Sequence, residues 1–133
     1  MFKHILFPTD GSASSDLAAQ STMRFAKSIG ARITALHVLP PVSPGQPHIT
    51  DEEQANKCLL AVQHVAAEHA VPCEAMLARN DDVHSAIIQA AFDRQCDLVA
   101  MSARGQGATV QAPPGSRTIS LLAASQVPVL VFR

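Results

Sequence analysis

Tryptophan and tyrosine are absent from this chain of 133 residues, and five phenylalanines are its only aromatic residues. Few rings are therefore available to stack on nucleic-acid bases. Neither sign of charge is in excess, since the chain contains 10 Lys and Arg and 11 Asp and Glu, and its net charge is −1. Such a chain lacks the positive field that attracts nucleic acid or an anionic membrane. We expect neither as a partner.

Long apolar runs and paired cysteines are missing as well. No stretch approaches the roughly 18 apolar residues of a membrane span, and residues 1–8 lead into a strand instead of forming the core of a signal peptide. The cysteines are three in number, scattered, and without a Cys-x-x-Cys pair: Cys58, Cys73 and Cys96. This pattern favours reduced thiols that act as small core residues. We predict a cytoplasmic protein.

The familiar catalytic motifs are also absent. The chain contains no Gly-x-Ser-x-Gly, no His-Glu-x-x-His and no Cys–His pair with a recognisable local signature. Its six histidines are scattered, and His64 and His69 are five residues apart, whereas metal ligands on one helix face need a spacing of three or four. Surface or packing roles fit these histidines better, and the sequence predicts neither a metal site built from them nor an enzyme.

The composition, with 47% hydrophobic and 16% charged residues, is typical of one compact domain, which we place at residues 1–133. Strand and helix patterns alternate along it. This alternation predicts an α/β fold with right-handed crossovers and a parallel sheet covered by helices on both faces. The expected strands are Lys3–Thr9, Arg32–Leu39, Cys73–Arg79, Asp97–Met101 and Val127–Phe132. The expected helices are Ala13–Ile29, one that begins at the capping box of residues 50–53 and ends before Pro72 with Ala70 on its apolar face, one that follows residues 80–82 and carries Val83 to Phe92, and Ser116–Ala124.

Local signals place the ends of these helices. Ser12 is the expected N-cap of the first helix and Gly30 its end, and Thr50-Asp51-Glu52-Glu53 has the form of a capping box. Residues 80–82, Asn-Asp-Asp, are expected to cap the third helix. The third strand alternates apolar and polar residues, which indicates a position near a sheet edge. The proline-rich residues 40–50 lack apolar periodicity, and we expect a mobile lid there.

The loop Ser-Ala-Arg-Gly-Gln-Gly-Ala-Thr-Val-Gln-Ala-Pro-Pro-Gly-Ser at residues 102–116 lies between a predicted strand and a predicted helix. Its glycines allow backbone N–H groups to approach an anion, and a Gly-Ser pair at a helix start adds a hydroxyl and the helix dipole. No Asp or Glu follows Leu98, whereas Arg104, Arg117 and Arg133 do. The loop is therefore a candidate phosphate site, and an ordinary Gly- and Ser-rich turn is the alternative. The P-loop lysine and a third glycine at dinucleotide spacing are both absent.

Asp10 follows the first predicted strand directly, and Ser102 follows the fourth. In parallel α/β sheets, ligands bind beyond the carboxyl ends of the strands, where the strand order reverses. If these two strands are neighbours, Asp10 and the glycine loop line one crevice. There the carboxylate could accept a hydrogen bond from ribose or adenine, or bind a metal ion that bridges phosphates. The alternative is that Asp10-Gly11-Ser12 is only a turn and a helix cap.

Together these residues resemble the universal stress protein family, and the resemblance covers essentially the whole chain. Its most specific part is a nucleotide motif of Gly, two residues, Gly, nine residues and Gly-Ser, in which Gly105, Gly115 and Ser116 have the right spacing. The supporting segments are Ile-Leu-Phe-Pro-Thr-Asp-Gly-Ser at residues 5–12, Leu36-His37-Val38, Asp97-Leu98-Val99 with Met101, and Val-Pro-Val-Leu-Val at residues 127–131.

The resemblance implies a Rossmann-like, three-layer fold of the adenine nucleotide alpha hydrolase type, with a five-stranded parallel sheet of order 3-2-1-4-5. It also implies a homodimer and, in one branch of the family, bound ATP. The adenosine would be surrounded by Pro8, Thr9, Asp10 and Val38 and flanked by Met101. The phosphates would meet Gly105, Gly115 and Ser116, and we add Ser102, Arg104 and Arg117 to this set from their position and chemistry.

Two departures from the family motif affect the phosphate site. Its first glycine is Ser102 here, whose side chain either narrows the site or donates a hydrogen bond to a phosphate oxygen. Pro113-Pro114 precedes Gly115, which removes two N–H donors and stiffens the loop.

The resulting prediction is a non-enzymatic, dimeric stress-response protein that binds ATP, with or without Mg²⁺. The dimer is expected to form through the last strand, Val127–Phe132, because this strand is apolar on both faces and its edge is open to pairing. The alternatives are an interaction module of the same fold that binds no nucleotide, and a weak ATPase that needs only a positioned water.

Overall fold

The structure is a computed structural model that describes residues 2–42, 44–45, 49–103 and 125–132. Its five strands are all parallel and form one sheet in the order β3-β2-β1-β4-β5. The sheet order that the family resemblance implied is therefore confirmed, and so is the edge position of the third strand. The elements are β1 (His4–Pro8), α1 (Ala13–Ile29), β2 (Arg32–Leu39), α2 (Ile49–Glu68), β3 (Cys73–Arg79), α3 (Val83–Asp93), β4 (Leu98–Ser102) and β5 (Val129–Phe132).

The central strand β1 contributes to two separate cores because successive side chains of a strand point to opposite faces. Ile5 and Phe7 pack on one face with residues of α1 and α2 such as Met23 and Leu59. Leu6 packs on the other face, in the core to which α3 contributes. Helices therefore cover both faces, as the alternation of strands and helices predicts.

The ends of α1 are the predicted ones. Ser12 has an extended backbone at the N-cap position, and its hydroxyl accepts a hydrogen bond from the Ser15 N–H at 3.2 Å. Gly30 ends the helix in the left-handed conformation, with a φ of 70°, which a residue without Cβ adopts at little cost. Asp82 occupies the N-cap position of α3, but its carboxylate contacts Ser85 Oγ and His84 instead of a backbone N–H.

Helix α2 differs from its prediction at both ends. It begins at Ile49, so Thr50 lies inside the helix and not at the N-cap. It ends at Glu68, and Ala70, which the periodicity assigned to the helix, has a φ of 56°. The reason is that the Val71 N–H bonds to the Ala66 carbonyl at 2.9 Å, which reverses the chain before β3.

The sequence predicts that the last strand runs over Val127–Phe132. The predicted start is wrong, because β5 begins at Val129. Ser125 accounts for the difference, since its Oγ donates to the Val127 carbonyl at 2.7 Å and accepts from the Val127 N–H at 3.1 Å. This local turn uses the hydrogen-bonding groups that a strand would need.

Two further predictions differ from the structure. The bounds of β1 and β4 shift by one residue. Phe92, which was expected on the apolar face of α3, is 79% exposed.

Several predictions fall outside the described residues and stay predictions. The final helix, Ser116–Ala124, is one of them, and the proline-rich lid is described only at residues 40–42, 44–45 and 49–50. None of the helices in the described ranges is both long enough and apolar enough to cross a membrane.

A chain of polar side chains, buried at His4 and Thr34 and exposed at Glu74, joins the amino ends of three neighbouring strands. His4 Nε2 lies 2.6 Å from Thr34 Oγ1, and the Thr34 hydroxyl donates to Glu74 Oε1 at 2.8 Å. His4 is 4% exposed and Thr34 is 0% exposed. Because the threonine proton is given to the carboxylate, neutral His4 donates from Nε2, and its buried Nδ1 has no well-aligned hydrogen-bond partner among the described residues. Burial, together with the nearby Arg32 charge, lowers the pKa of His4 below its usual value of 6.5.

This histidine predicts an acid-sensitive stability. A depressed histidine pKa means that the folded protein binds the proton less well than the unfolded chain, so its contribution is present above pH 6.5 and is lost below it. We expect the free energy of unfolding to fall by at most about 1.4 kcal/mol per pH unit from this group. Urea unfolding of the parent and of His4→Gln between pH 8 and pH 5 measures it. Equal slopes in the two proteins would contradict the prediction.

Candidate functional site

The carboxyl ends of β2, β1 and β4 lie side by side, and the strand order reverses at this edge. The β1–β4 register pairs Ile5 with Leu98 and Leu6 with Val99, and continuing it places Pro8 beside Met101. The sequence prediction that these two strands are neighbours is therefore confirmed. This edge brings together six of the predicted site residues, namely Pro8, Thr9, Asp10, Val38, Met101 and Ser102.

Asp10 has a defined orientation at this edge. Its Oδ1 accepts two hydrogen bonds, from the Ser12 N–H at 2.9 Å and from the Ser15 hydroxyl at 2.8 Å. Its Oδ2 accepts none from the described residues. Burial alone would raise the pKa of Asp10, but the hydrogen bonds from Ser12 and Ser15 outweigh it and lower the pKa below the usual 3.8. Asp10 is thus an ionised carboxylate, and one of its oxygens receives no hydrogen bond from the part of the chain that the structure describes.

The turn that carries Asp10 is tied to β2 and covered by α2. The Thr9 N–H donates to the Leu36 carbonyl at 2.8 Å, and the Gly11 N–H donates to Thr9 Oγ1 at 3.2 Å. Gly11 has a φ of 78°, and a Cβ at this position would lie 2.6 Å from the Sγ of Cys58. The left-handed backbone therefore favours glycine here, and a Cβ would in addition require the Cys58 side chain to move.

His37 contributes to the same neighbourhood, although sequence reasoning placed it among the scattered histidines. Its Nδ1 is buried and has no well-aligned hydrogen-bond partner in the described part of the chain. Burial lowers the pKa of His37, while the Thr9 backbone and the Asp10 charge act in the opposite direction. The sequence signal was its position next to Val38 at the end of a strand. Ser15 and Cys58 were missed too, and nothing local in the sequence indicates that Cys58 contacts Gly11.

Val38 and Met101 lie near the carboxyl ends of β2 and β4, and both pack in the core on the α3 side of the sheet. Apolar side chains near an oriented carboxylate have the chemistry of a nucleoside site, in which a flat ring packs on side chains and a polar group fixes its orientation. Ser102 ends β4 and is almost fully buried. The predicted phosphate contacts of Arg104, Gly105, Gly115, Ser116 and Arg117 lie outside the described residues.

The described residues offer little for covalent or metal chemistry. No group of three or more His, Cys, Asp or Glu side chains in them is arranged to bind a metal ion. All three cysteines are free thiols. Burial raises the pKa of both Cys73 and Cys96 to about 11, so the reactive thiolate is scarce near neutral pH.

Comparison with known proteins agrees with this architecture. The sequence profile of the universal stress protein family matches residues 1–133. A universal stress protein in the QAH/OAS sulfhydrylase 3′ region of Thermus aquaticus is 34% identical over 139 residues, which cover 100% of both chains. The fold matches that of a universal stress protein from Archaeoglobus fulgidus in complex with dAMP, with a TM-score of 0.82, 16% identity and coverage of 99% and 98%.

A second solved structure, a universal stress protein in complex with cAMP, has a TM-score of 0.81 and 18% identity, and the match covers 99% of this chain and 97% of that one. At these identities the two solved structures show the fold. The profile and the Thermus relative show more, because they match the sequence over its entire length. The chain belongs to the universal stress protein family.

Proposed function

We propose that this protein is a dimeric stress-response protein that binds an adenine nucleotide, ATP in particular, at the carboxyl edge of β1, β2 and β4. The observation that carries the proposal is the oriented Asp10 carboxylate at the point where the strand order reverses. Its open oxygen suits a hydrogen-bond donor of a nucleoside, and the apolar surface of Val38 and Met101 suits a base.

Two proteins of the same fold support this assignment, because one was solved with cAMP and the other with dAMP. These ligands share an adenine and a phosphate. The phosphates of ATP would extend from the nucleoside toward the loop after β4, where Gly105, Gly115 and Ser116 would supply N–H and hydroxyl donors. As the alternative to a nucleoside donor, the open oxygen of Asp10 fits a Mg²⁺ ion, which prefers carboxylate and phosphate oxygens and would neutralise charge between them.

The dimer is proposed to form through the outer edge of β5. The carbonyls of Pro128 and Phe132 accept hydrogen bonds from the N–H groups of Val99 in β4 and of Ala103 directly after it, at 2.9 Å in each case. Because backbone groups alternate in direction along a strand, the N–H and C=O groups of Val129 and Val131 point away from β4. No described strand lies on that side of the sheet. A second copy related by a two-fold axis would supply the missing partners.

We propose a binding role without catalysis, in which bound nucleotide changes the surface that the protein presents to a partner in the cytoplasm. No dedicated general base is identified among the described residues of this edge. The competing hypothesis of a weak ATPase needs only a water positioned beside the phosphates. Timed release of phosphate from ATP and Mg²⁺ discriminates the two, since a binding protein releases none above the uncatalysed background.

The main experiment compares ATP with adenosine by calorimetry. We expect ATP to bind more tightly, because only ATP reaches the backbone donors of the glycine loop. Raising the salt concentration should weaken ATP binding much more than adenosine binding, since screening acts on the charged phosphates. Mass spectrometry of purified, heat-denatured protein tests in addition whether nucleotide is carried through purification.

The Ser102→Gly variant supplies the control, because it restores the glycine of the family motif. If Ser102 obstructs the site, ATP binds more tightly to the variant; if its hydroxyl contacts phosphate, ATP binds more weakly. Absence of ATP binding by both the parent and Ser102→Gly would contradict the proposal. The interaction module without a nucleotide would then be the better account.

A further inference from the structure

We propose that Ser15 is a positioning residue for the nucleotide site, and that it keeps Oδ2 of Asp10 in place as the acceptor for a hydrogen-bond donor of the nucleoside. The inference rests on the proposed function, because it concerns the same site. Ser15 lies in the first turn of α1, five residues after Asp10, and it is 4% exposed.

Ser15 makes one hydrogen bond through its hydroxyl and one through its backbone N–H. Its hydroxyl carries a single proton, which it donates to Oδ1 of Asp10 at 2.8 Å. Its backbone N–H donates to the Oγ of Ser12 at 3.2 Å. Ser15 therefore joins the helix cap and the carboxylate, so the orientation of Asp10 is set by a rigid helical turn.

The hydroxyl bond is not needed to begin the helix. Ser12 already caps α1 through its side chain, and its carbonyl accepts the first helical hydrogen bond from the Asp16 N–H at 3.0 Å. What the Ser15 hydroxyl adds is a second donor to Oδ1, next to the Ser12 N–H. With both donors on one oxygen, rotation of the carboxylate would break two hydrogen bonds at once.

The two carboxylate oxygens of Asp10 therefore have different roles. Oδ1 is occupied by the protein, and Oδ2 accepts no hydrogen bond from the described residues. A charged oxygen in a fixed position discriminates well between ligands that present an N–H or O–H to it and ligands that do not. In an adenine nucleotide, these donors are the ribose hydroxyls and the amino group of adenine.

The test measures the binding of four ligands, ATP, 2′-deoxyATP, 3′-deoxyATP and inosine triphosphate, to the parent and to Ser15→Ala. We expect Ser15→Ala to weaken ATP binding about tenfold, which corresponds to about 1.4 kcal/mol. The analogue that lacks the donor for Oδ2 should bind the parent more weakly and lose nothing further in Ser15→Ala. That analogue identifies whether ribose or adenine meets Asp10.

Ser14→Ala is the matched control, because Ser14 lies in the same turn and makes no hydrogen bond to Asp10. It should bind all four ligands as the parent does. Equal losses for ATP and all three analogues in Ser15→Ala, or the same loss in Ser14→Ala, would overturn the proposal. Such results would show a general disturbance of the turn and no selective effect on one acceptor.

A second readout does not depend on nucleotide. Loss of the Ser15 hydrogen bond should raise the pKa of Asp10, and titration of the carboxylate carbon by NMR measures this directly. An unchanged titration in Ser15→Ala would overturn the positioning role even if ATP binds. Failure of the parent to bind any nucleotide would instead overturn the proposed function, and the titration would still decide whether Ser15 orients Asp10.

Discussion

A Val131→Pro variant is expected to be a monomer at micromolar concentration, where the parent is expected to be a dimer. Val131 directs its backbone N–H away from β4, since its neighbour Phe132 bonds to the Ala103 N–H on the inner side at 2.9 Å. Proline removes the outward donor and leaves the ladder to β4 intact, and it is tolerated on edge strands for this reason. Light scattering of the two proteins measures the difference.

Val131→Thr is the control for this variant, because threonine keeps both the N–H and the β-branched shape. It should remain a dimer. Val131 is preferable to Val129 for the substitution, since Val129 also packs against the core on the α3 side. A monomeric parent would contradict the proposed dimer, and a Val131→Pro dimer of unchanged affinity would exclude pairing through this edge.

Gly11→Ala is expected to cost the most stability among single-methyl substitutions near the site. The left-handed backbone, with a φ of 78°, costs a residue with a Cβ about 1–2 kcal/mol. The added methyl would also lie 2.6 Å from the Cys58 Sγ, so the Cys58 side chain must rotate, at a further cost of about 0.5–1.5 kcal/mol. Urea unfolding should show a total loss of about 1.5–3.5 kcal/mol.

Gly30→Ala separates the two contributions, because Gly30 has a similar φ of 70° but no atom within 4 Å of its would-be Cβ. It should show only the backbone cost. Adding Cys58→Ala to Gly11→Ala should recover the difference between the two glycine variants, measured relative to Cys58→Ala alone. If Gly11→Ala and Gly30→Ala lose the same stability, the contact with Cys58 contributes nothing to the destabilisation by Gly11→Ala.

Much of the fold follows from local sequence patterns. The bounds of α1, β2 and β3 are those that the patterns predict, because apolar periodicity, the Ser12 cap and the glycine at position 30 act over a few residues. The errors have local causes that periodicity does not encode. Ser125 diverts the chain before Val129, and the Val71 N–H ends α2 by bonding to Ala66.

The candidate site was predictable only in part. Pro8, Thr9, Asp10 and Ser102 follow from the rule that ligands bind at the carboxyl ends of strands next to the switch point. His37 was not selected, because a histidine near a strand end has no distinctive local pattern. Its proximity to Asp10 appears only when β1 and β2 pair.

By itself, the sequence determined the alternation of strands and helices, the caps of α1 and the chemistry available after β1, since each depends on groups a few residues apart. The tertiary structure alone decided which of these groups meet. It placed Cys58 against Gly11 and connected His4, through Thr34, to Glu74. Such contacts join residues distant in the chain, and sheet order, register and helix packing select them, because burial rewards the arrangement of the whole domain rather than any short segment.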